Sequence, residues 1–413
     1  MKINILNFHK GLLIIIFGII VVFQLTTLKL SLNLIVLSRI VNILFTIFLF
    51  TFIFYALFKI KLNKRLFYFY LIPGLLICLG FVINIIKSSF TSTESLGYLS
   101  QVFPWITFLI IPFFVQKNIF NLIDYWELFS KFMFFTTILS LIEYFLALNG
   151  NITLNSVESA NGDFLTGKVA IFHKLSDGAP HFRFYSCFME PGTYAMFLLP
   201  VICHAFYYKK YIRLILFLLA FYFTFSLGGI ISLIILAILV LLKFNGVKKY
   251  LIIFALLVGG VFYFSVFSEE LKDAYEEKGN SATEREESFS KTTANFSNLI
   301  LNYPFGIPLK SETSDNQKNE FYIGTNFIPG VYLQFGGYIA FLGYIFFLTF
   351  STLLALFLYL FKRNLSVMDL IFTISIISLF PFIFQRYTIM ESSIYSFLFS
   401  PYIINYLRPT NEK

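Results

Sequence analysis

The feature that most constrains this chain is a succession of apolar runs, each about as long as a bilayer is thick. A spanning helix needs about 20 apolar residues, because a rise of about 1.5 Å per residue must cross about 30 Å of hydrocarbon. Twelve such runs occur, at about 11–30, 34–58, 66–86, 98–115, 128–148, 188–208, 211–227, 228–243, 249–267, 335–361, 366–385 and 391–407. Of the 413 residues, 58% are hydrophobic and 13% charged, where a soluble domain carries about 25% charged residues. One soluble core cannot bury that much apolar surface. The expectation is an all-α polytopic membrane protein of about twelve spans, a single integral domain over residues 1–413. The run at 11–30 exceeds a signal-peptide core and lacks a small-x-small cleavage site, so it reads as a retained helix.

The seventh and eighth runs form one block, "YIRLILFLLAFYFTFSLGGIISLIILAILVLLK", of 33 residues. That is about 50 Å of helix, too long for one upright span and short for two. The "SLGG" at 226–229 reads as a tight re-entrant corner, with glycine supplying the backbone angles.

Lysine and arginine set the orientation. With the N-terminus inside, the cytoplasmic side receives Lys59, Lys61, Lys64, Arg65, Lys209, Lys210, Arg213, Lys243, Lys248, Lys249, Lys362 and Arg363. The short outer loops hold Lys29, Lys87 and Arg386, with Arg39 just inside the second run. Both termini are then cytoplasmic, and two long loops, 149–187 and 268–326, are external. In the second loop Ser281 and Glu284 fit a capping box. Phe289, Phe296, Leu299 and Tyr303 then recur at helical spacing, which predicts an amphipathic helix on the membrane surface.

The formal charge of +9 belongs to these cytoplasmic loops. No basic run is interleaved with base-stacking aromatics, so nucleic acid is not an expected partner. Cys78, Cys187 and Cys203 make neither a CxxC pair nor a His/Cys ligand spacing, which leaves no disulfide framework and no metal site. His173 and His181 are loop histidines without metal spacing.

Charges inside spans are costly and mark function. Arg39, Glu143, Glu190, Arg386 and Glu391 fall at external ends of runs; Asp124, Glu127 and Asp369 fall at cytoplasmic ends. An ion-coupled transporter carries midplane carboxylates or broken helices. The polar chemistry here gathers instead at the outer rim. In "HFRFYSCFMEPGTYAMFLLP", residues 181–200, Pro191 suits the first turn of a helix and Glu190 its cap. A helix start favours anions, and the arginine fork of Arg183 suits phosphate oxygens. A plainer reading also fits: Pro191 and Gly192 start a span, Glu190 caps it and Arg183 reaches the headgroups. Arg285, beside Glu284, Glu286 and Glu287, equally suits a solvated helical salt bridge.

Taken in order, "RFYSCFMEPGTYAMFLLP", "FTFSLGGIISLIIL", "SATEREESF" followed by "NYPFGIPL", and "GTNFIPGVYLQFGGYIAFLGYIFFL" resemble the O-antigen ligase/polymerase superfamily, and within it the Wzy-type repeat-unit polymerases of O-antigen, capsule and exopolysaccharide. The resemblance implies a GT-C-like, metal-independent glycosyltransferase without a cofactor, in the bacterial cytoplasmic membrane. Its substrate would be an undecaprenyl-diphosphate-linked oligosaccharide, and its partners membrane lipids and a chain-length regulator protein. Arg183 and Arg285 match the loop arginines that engage the lipid diphosphate. Asn326 lies where ligases have a His-Asn pair, but the pair here is Thr325-Asn326. The usual Gly-x-Gly after "NYPF" is Gly306-Ile307-Pro308. For the general base, Glu190 comes first and Glu143 second; Arg39, Glu143, Asn326 and Arg386 are the expected substrate contacts. A ligase and a lipid-linked oligosaccharide flippase are the alternatives.

Overall fold

A computed structural model describes residues 64–88, 105, 109, 122–149, 155–157, 167–169, 174–176, 183–186, 188, 191–243, 286–307, 327–362, 364–379 and 399–407. The runs at 11–30, 34–58 and 249–267, and nearly all of 98–115, lie outside the described residues.

The described chain is helical apart from one small sheet. The run predicted at 66–86 is helix α1, Lys64–Lys87. It contains a π-helical turn at Phe67–Leu71, where the Ile72 amide reaches back to Phe67 O. Pro73 explains that turn, since proline has no N–H to give Phe69 O and its ring crowds that carbonyl. Helix α2 is Leu122–Leu148. Strands β1 (Asn155–Val157), β2 (Gly167–Val169) and β3 (Lys174–Ser176) pair antiparallel in the order β1-β2-β3. In register, Ser156 faces Lys168 and Lys168 faces Leu175. The first long loop, expected to carry short helices, therefore holds a sheet. Three-residue strands alternate too briefly to leave a period in the sequence.

Helices α3 (Pro191–Tyr207), α4 (Tyr211–Phe223) and α5 (Leu227–Lys243) follow. Residues 286–302 form α6, Ile328–Phe361 α7, Val367–Ser378 α8 and 399–407 α9. Among the described residues, three helices are long and apolar enough to cross a membrane: Lys64–Lys87, Tyr125–Leu148 and Ile328–Phe361.

Helix α3 is the centre of the bundle. Every residue from Thr193 to Ala205 is buried, against α2, α4, α5 and α8, as befits a helix that is apolar all round. Helix α1 packs antiparallel on α7. Gly80 meets the Gly336 carbonyl so closely that no β-carbon would fit, and Gly343 meets Pro73 O in the same way. Such small residues let helix backbones approach where lipid offers no hydrophobic drive to associate.

These pairings put Lys64, Arg65, Glu127, Lys210, Arg213, Lys243 and Lys362 at one end of the bundle, the basic end. Lys243 Nζ donates to Tyr359 O at 2.7 Å, and Tyr70 bonds Ser400 of α9. Lys87, Glu143, Arg183 and Gly337 lie at the opposite end.

The corner between α4 and α5 differs from the "SLGG" expectation. The turn is made by Thr224, Phe225 and Ser226, and its left-handed residue is Phe225, with φ 46°. Gly228 and Gly229 are already in the first turn of α5. Gly229 serves close packing instead, since a β-carbon there would come within 2.9 Å of Ala195 Cβ.

Candidate functional site

Residues 183–186 and 188, which precede α3, form a strap at the opposite end of the bundle. Phe184 is buried against the rings of Tyr144 and Tyr194, and Phe188 against Tyr194 and Phe197. Ser186, in a left-handed conformation at φ 51°, lies 2.8 Å from Ser140 Oγ and donates to Thr136 O at 3.4 Å. One turn along, Thr137 and Tyr194 share a hydroxyl–hydroxyl bond of 2.6 Å. The strap is thus held by a hydroxyl ladder on α2 as well as by aromatic packing.

Arg183 holds the other edge. Its Nε donates to Thr224 O at 3.1 Å and its Nη2 to Phe225 O at 3.3 Å. The neighbouring amide of Phe184 donates to Phe223 O at 2.9 Å. The last carbonyls of a helix have no partner within it, and α4 ends here. Helix α5 starts from the same turn, with Gly229 N donating to Ser226 Oγ at 3.2 Å as at a serine N-cap.

The length of α4 gives these bonds their importance. Thirteen residues make about 20 Å of helix, against about 30 Å of hydrocarbon. Were α4 to enter a bilayer from the basic end, its corner would stop about 10 Å short of the far surface. Irregular backbone at that depth survives only when protein satisfies it. The half-buried guanidinium of Arg183 does so, at the head of the strap that leads to α3.

Glu143 is half-buried on α2, next to Tyr144, whose ring touches Phe184 and Phe223. Glu143 and Arg183 therefore share the same end of the bundle. Glu190, Arg285, Arg39, Asn326 and Arg386 lie outside the described residues, although their neighbours are informative. Helix α3 begins at Pro191, directly after Glu190. The described part of α6 starts at 286, and Asn326 precedes Phe327, the N-cap of α7. The rings of Phe289 and Phe327 are 5.2 Å apart, so α6 meets the start of α7.

The far end of α6 is tied in by a second knot that sequence reading missed. Gly337 breaks α7 with φ 67° and ψ −173°, a region essentially closed to residues with a β-carbon. Residues 303–307 fill the break: Tyr338 N donates to Pro304 O at 3.1 Å and Ile307 N to Gln334 O at 2.9 Å. Asn84 of α1, fully buried, donates to Phe335 O at 2.6 Å and Ile307 O at 3.2 Å. Lys87 stands 4.2 Å from the centre of the Phe305 ring. Of the stripe predicted on α6, Leu299 packs on Ile307 and Leu333, and Phe296 meets the Phe341 ring. A lone asparagine in an apolar run was the available signal for Asn84. The hydroxyls Thr137 and Ser140 on α2 signalled the strap by their helical spacing.

At the basic end, Glu127 accepts from Arg213 Nη2 at 2.9 Å. In the turn between α3 and α4, burial and then the Glu127 charge raise the Tyr208 hydroxyl above the ordinary tyrosine pKa. Among the described residues no three His, Cys, Asp or Glu side chains converge. No known protein family, curated protein or solved structure matches this chain.

Proposed function

We propose that this chain is a polymerase that joins undecaprenyl-diphosphate-linked oligosaccharide repeat units at the outer face of the bacterial cytoplasmic membrane. In this reading it is a GT-C-like protein of about twelve spans with both termini cytoplasmic, and the opposite end of the bundle faces outward. The observation that carries the reading is Arg183, a cation fixed by two corner carbonyls at the opposite end of the bundle, eight residues before α3 in the sequence. Such a fixed guanidinium suits the diphosphate of a lipid-borne substrate.

The chemistry follows. A sugar hydroxyl of one lipid-linked unit attacks the anomeric carbon of the glycan on another. The C–O bond to the lipid diphosphate breaks, and the charge of the leaving diphosphate is stabilised by Arg183 and Arg285. Glu190, or Glu143, takes the acceptor proton. Pre-setting Arg183 by carbonyl bonds spares reorganisation as that charge develops.

The flippase alternative draws on the break in α7, since broken helices build transporter sites. The segment 338–361, however, is about 36 Å of helix, so the break falls at the membrane edge rather than at its midplane. That depth favours the transferase.

The test is purified full chain in vesicles with lipid-linked repeat unit, read as a ladder of polymer. The expected result is a ladder for wild type and none for Arg183→Ala. With Glu190→Gln, turnover should fall by roughly 10²–10⁴-fold, the contribution of a general base. Absence of any ladder from folded wild-type protein, with lipid-linked unit moved across the bilayer instead, would overturn the transferase in favour of the flippase.

A further inference from the structure

The exposed apolar stripe of α2 contains a charge. Lys131, Phe135, Leu139 and Ile142 are all exposed and fall on one face, as residues spaced by four and three must. From Lys131 to Leu148 the helix covers about 26 Å, close to the hydrocarbon thickness of about 30 Å. Lys131 therefore marks the hydrocarbon boundary at the basic end. The adjoining helix α4 presents its own exposed apolar row, with Ile212, Ile215 and Leu219.

Between the two rows the charge is positive. Arg213 bonds Glu127 through Nη2 and donates from Nη1 to Ser130 Oγ at 3.3 Å, with its guanidinium 5.7 Å from the Phe134 ring centre. Lys131 Nζ is 3.9 Å from Glu127 Oε1 while its side chain stays 53% exposed, and His204 Nε2 is 3.9 Å from Glu127 Oε2. Lys209 and Lys210 are exposed just before α4. Against Lys131, Lys209, Lys210 and Arg213 stand Glu127 and, one turn earlier in the sequence, Asp124. The cations outnumber the anions at a place reached from within the bilayer.

We propose that this cleft between α2 and α4 is a headgroup site for an anionic phospholipid. Lys131 and Lys210 hold the phosphate beside Arg213, and the acyl chains lie along the two apolar rows. The occupant is a lipid rather than a soluble anion because Lys131 shares its face with side chains that only lipid covers. Basic clefts between spanning helices recognise anionic headgroups in this way. The proposal is independent of the polymerase reading.

The test uses the full chain equilibrated in vesicles of equal phosphatidylglycerol and phosphatidylcholine, extracted in mild detergent, with retained lipids counted by mass spectrometry. Wild type should retain phosphatidylglycerol in preference by roughly five-fold or more, the effect of one cation near the surface. Lys131→Gln with Lys210→Gln should bring the ratio near unity, each single variant should fall between, and Lys131→Arg should keep the preference. The single variants serve if the double variant does not fold. Equal retention by wild type, or an unchanged preference in the glutamine variants, would overturn the proposal. Loss of the preference on adding millimolar inorganic phosphate at constant ionic strength would also overturn it, and assign the cleft to a soluble anion.

Discussion

The two ends of the bundle are fastened by different chemistry. At the basic end, side chains bond side chains: Arg213 with Glu127, and Asp369 with both Lys362, at 2.6 Å, and Tyr402. Lys243 and Tyr359, which donate to the carbonyls of Tyr359 and Leu239, are exceptions. At the opposite end, beside the hydroxyl pairs Ser140–Ser186 and Thr137–Tyr194, charged and amide side chains bond the main chain, with Arg183 on Thr224 O and Phe225 O and Asn84 on Ile307 O and Phe335 O. Four of the five left-handed residues among those described, Ser186, Phe225, Gly306 and Gly337, are at that end, with Lys209 at the other. Regular helices that stop at water need only ordinary surface ion pairs, worth about 0–1 kcal/mol each. Helices that stop or break within apolar surroundings leave carbonyls whose neglect costs about 1–3 kcal/mol apiece. The opposite end therefore keeps its irregular segments only by dedicating fixed donors to them.

The comparison breaks most visibly at Gly337. Gly337→Ala forces a β-carbon into a disallowed conformation and onto the Pro304 carbonyl, so a loss of at least about 3 kcal/mol is expected. Thermal unfolding in detergent, or failure to accumulate folded protein, would register it; a near-normal melting temperature would show that the break in α7 is optional.

Asn84→Leu comes next. It keeps the volume but strands two carbonyls, and a loss of about 2–4 kcal/mol follows. Asn84→Asp should be no better, because a carboxylate offers those carbonyls no donor. If either variant melts like wild type, side-chain donors are not what holds this end together.

A smaller loss is expected at the basic end for Ser366→Ala. Ser366 caps α8 in a capping box with Asp369, and a lost cap costs about 1 kcal/mol. The smallest effect is that of Arg213→Gln, about 0–1 kcal/mol and shrinking further as salt is raised. A large, salt-independent loss at Arg213 would erase the distinction between the two ends.

What the sequence made legible follows the same divide. Apolar runs announce where helices lie, because length and hydropathy are local properties; 66–86 and 188–208 differ from Lys64–Lys87 and Pro191–Tyr207 by a few residues. The run at 335–361 begins seven residues late, since Ile328-Pro329-Gly330 looks like a loop and is in fact the first turn of α7. The Pro-Gly start of α3 is legible for the reason that made the α4–α5 corner misleading. Proline and glycine have strong local preferences, yet the corner's left-handed residue is a phenylalanine held by tertiary bonds. Arg183 stands out in the sequence as a charge beside a span. Its partners, 41 and 42 residues away, do not, because any residue can offer a carbonyl.

The knot at Asn84 also has a consequence in time. Its carbonyl partners lie 223 and 251 residues further along the chain. At the ribosome's pace of about 5–20 residues per second, α1 is made roughly 10–50 seconds before the segments that satisfy its amide. Assembly of this bundle is therefore a matter of waiting: α1 carries a polar group not yet met until the 303–307 segment and α7 arrive to close around it.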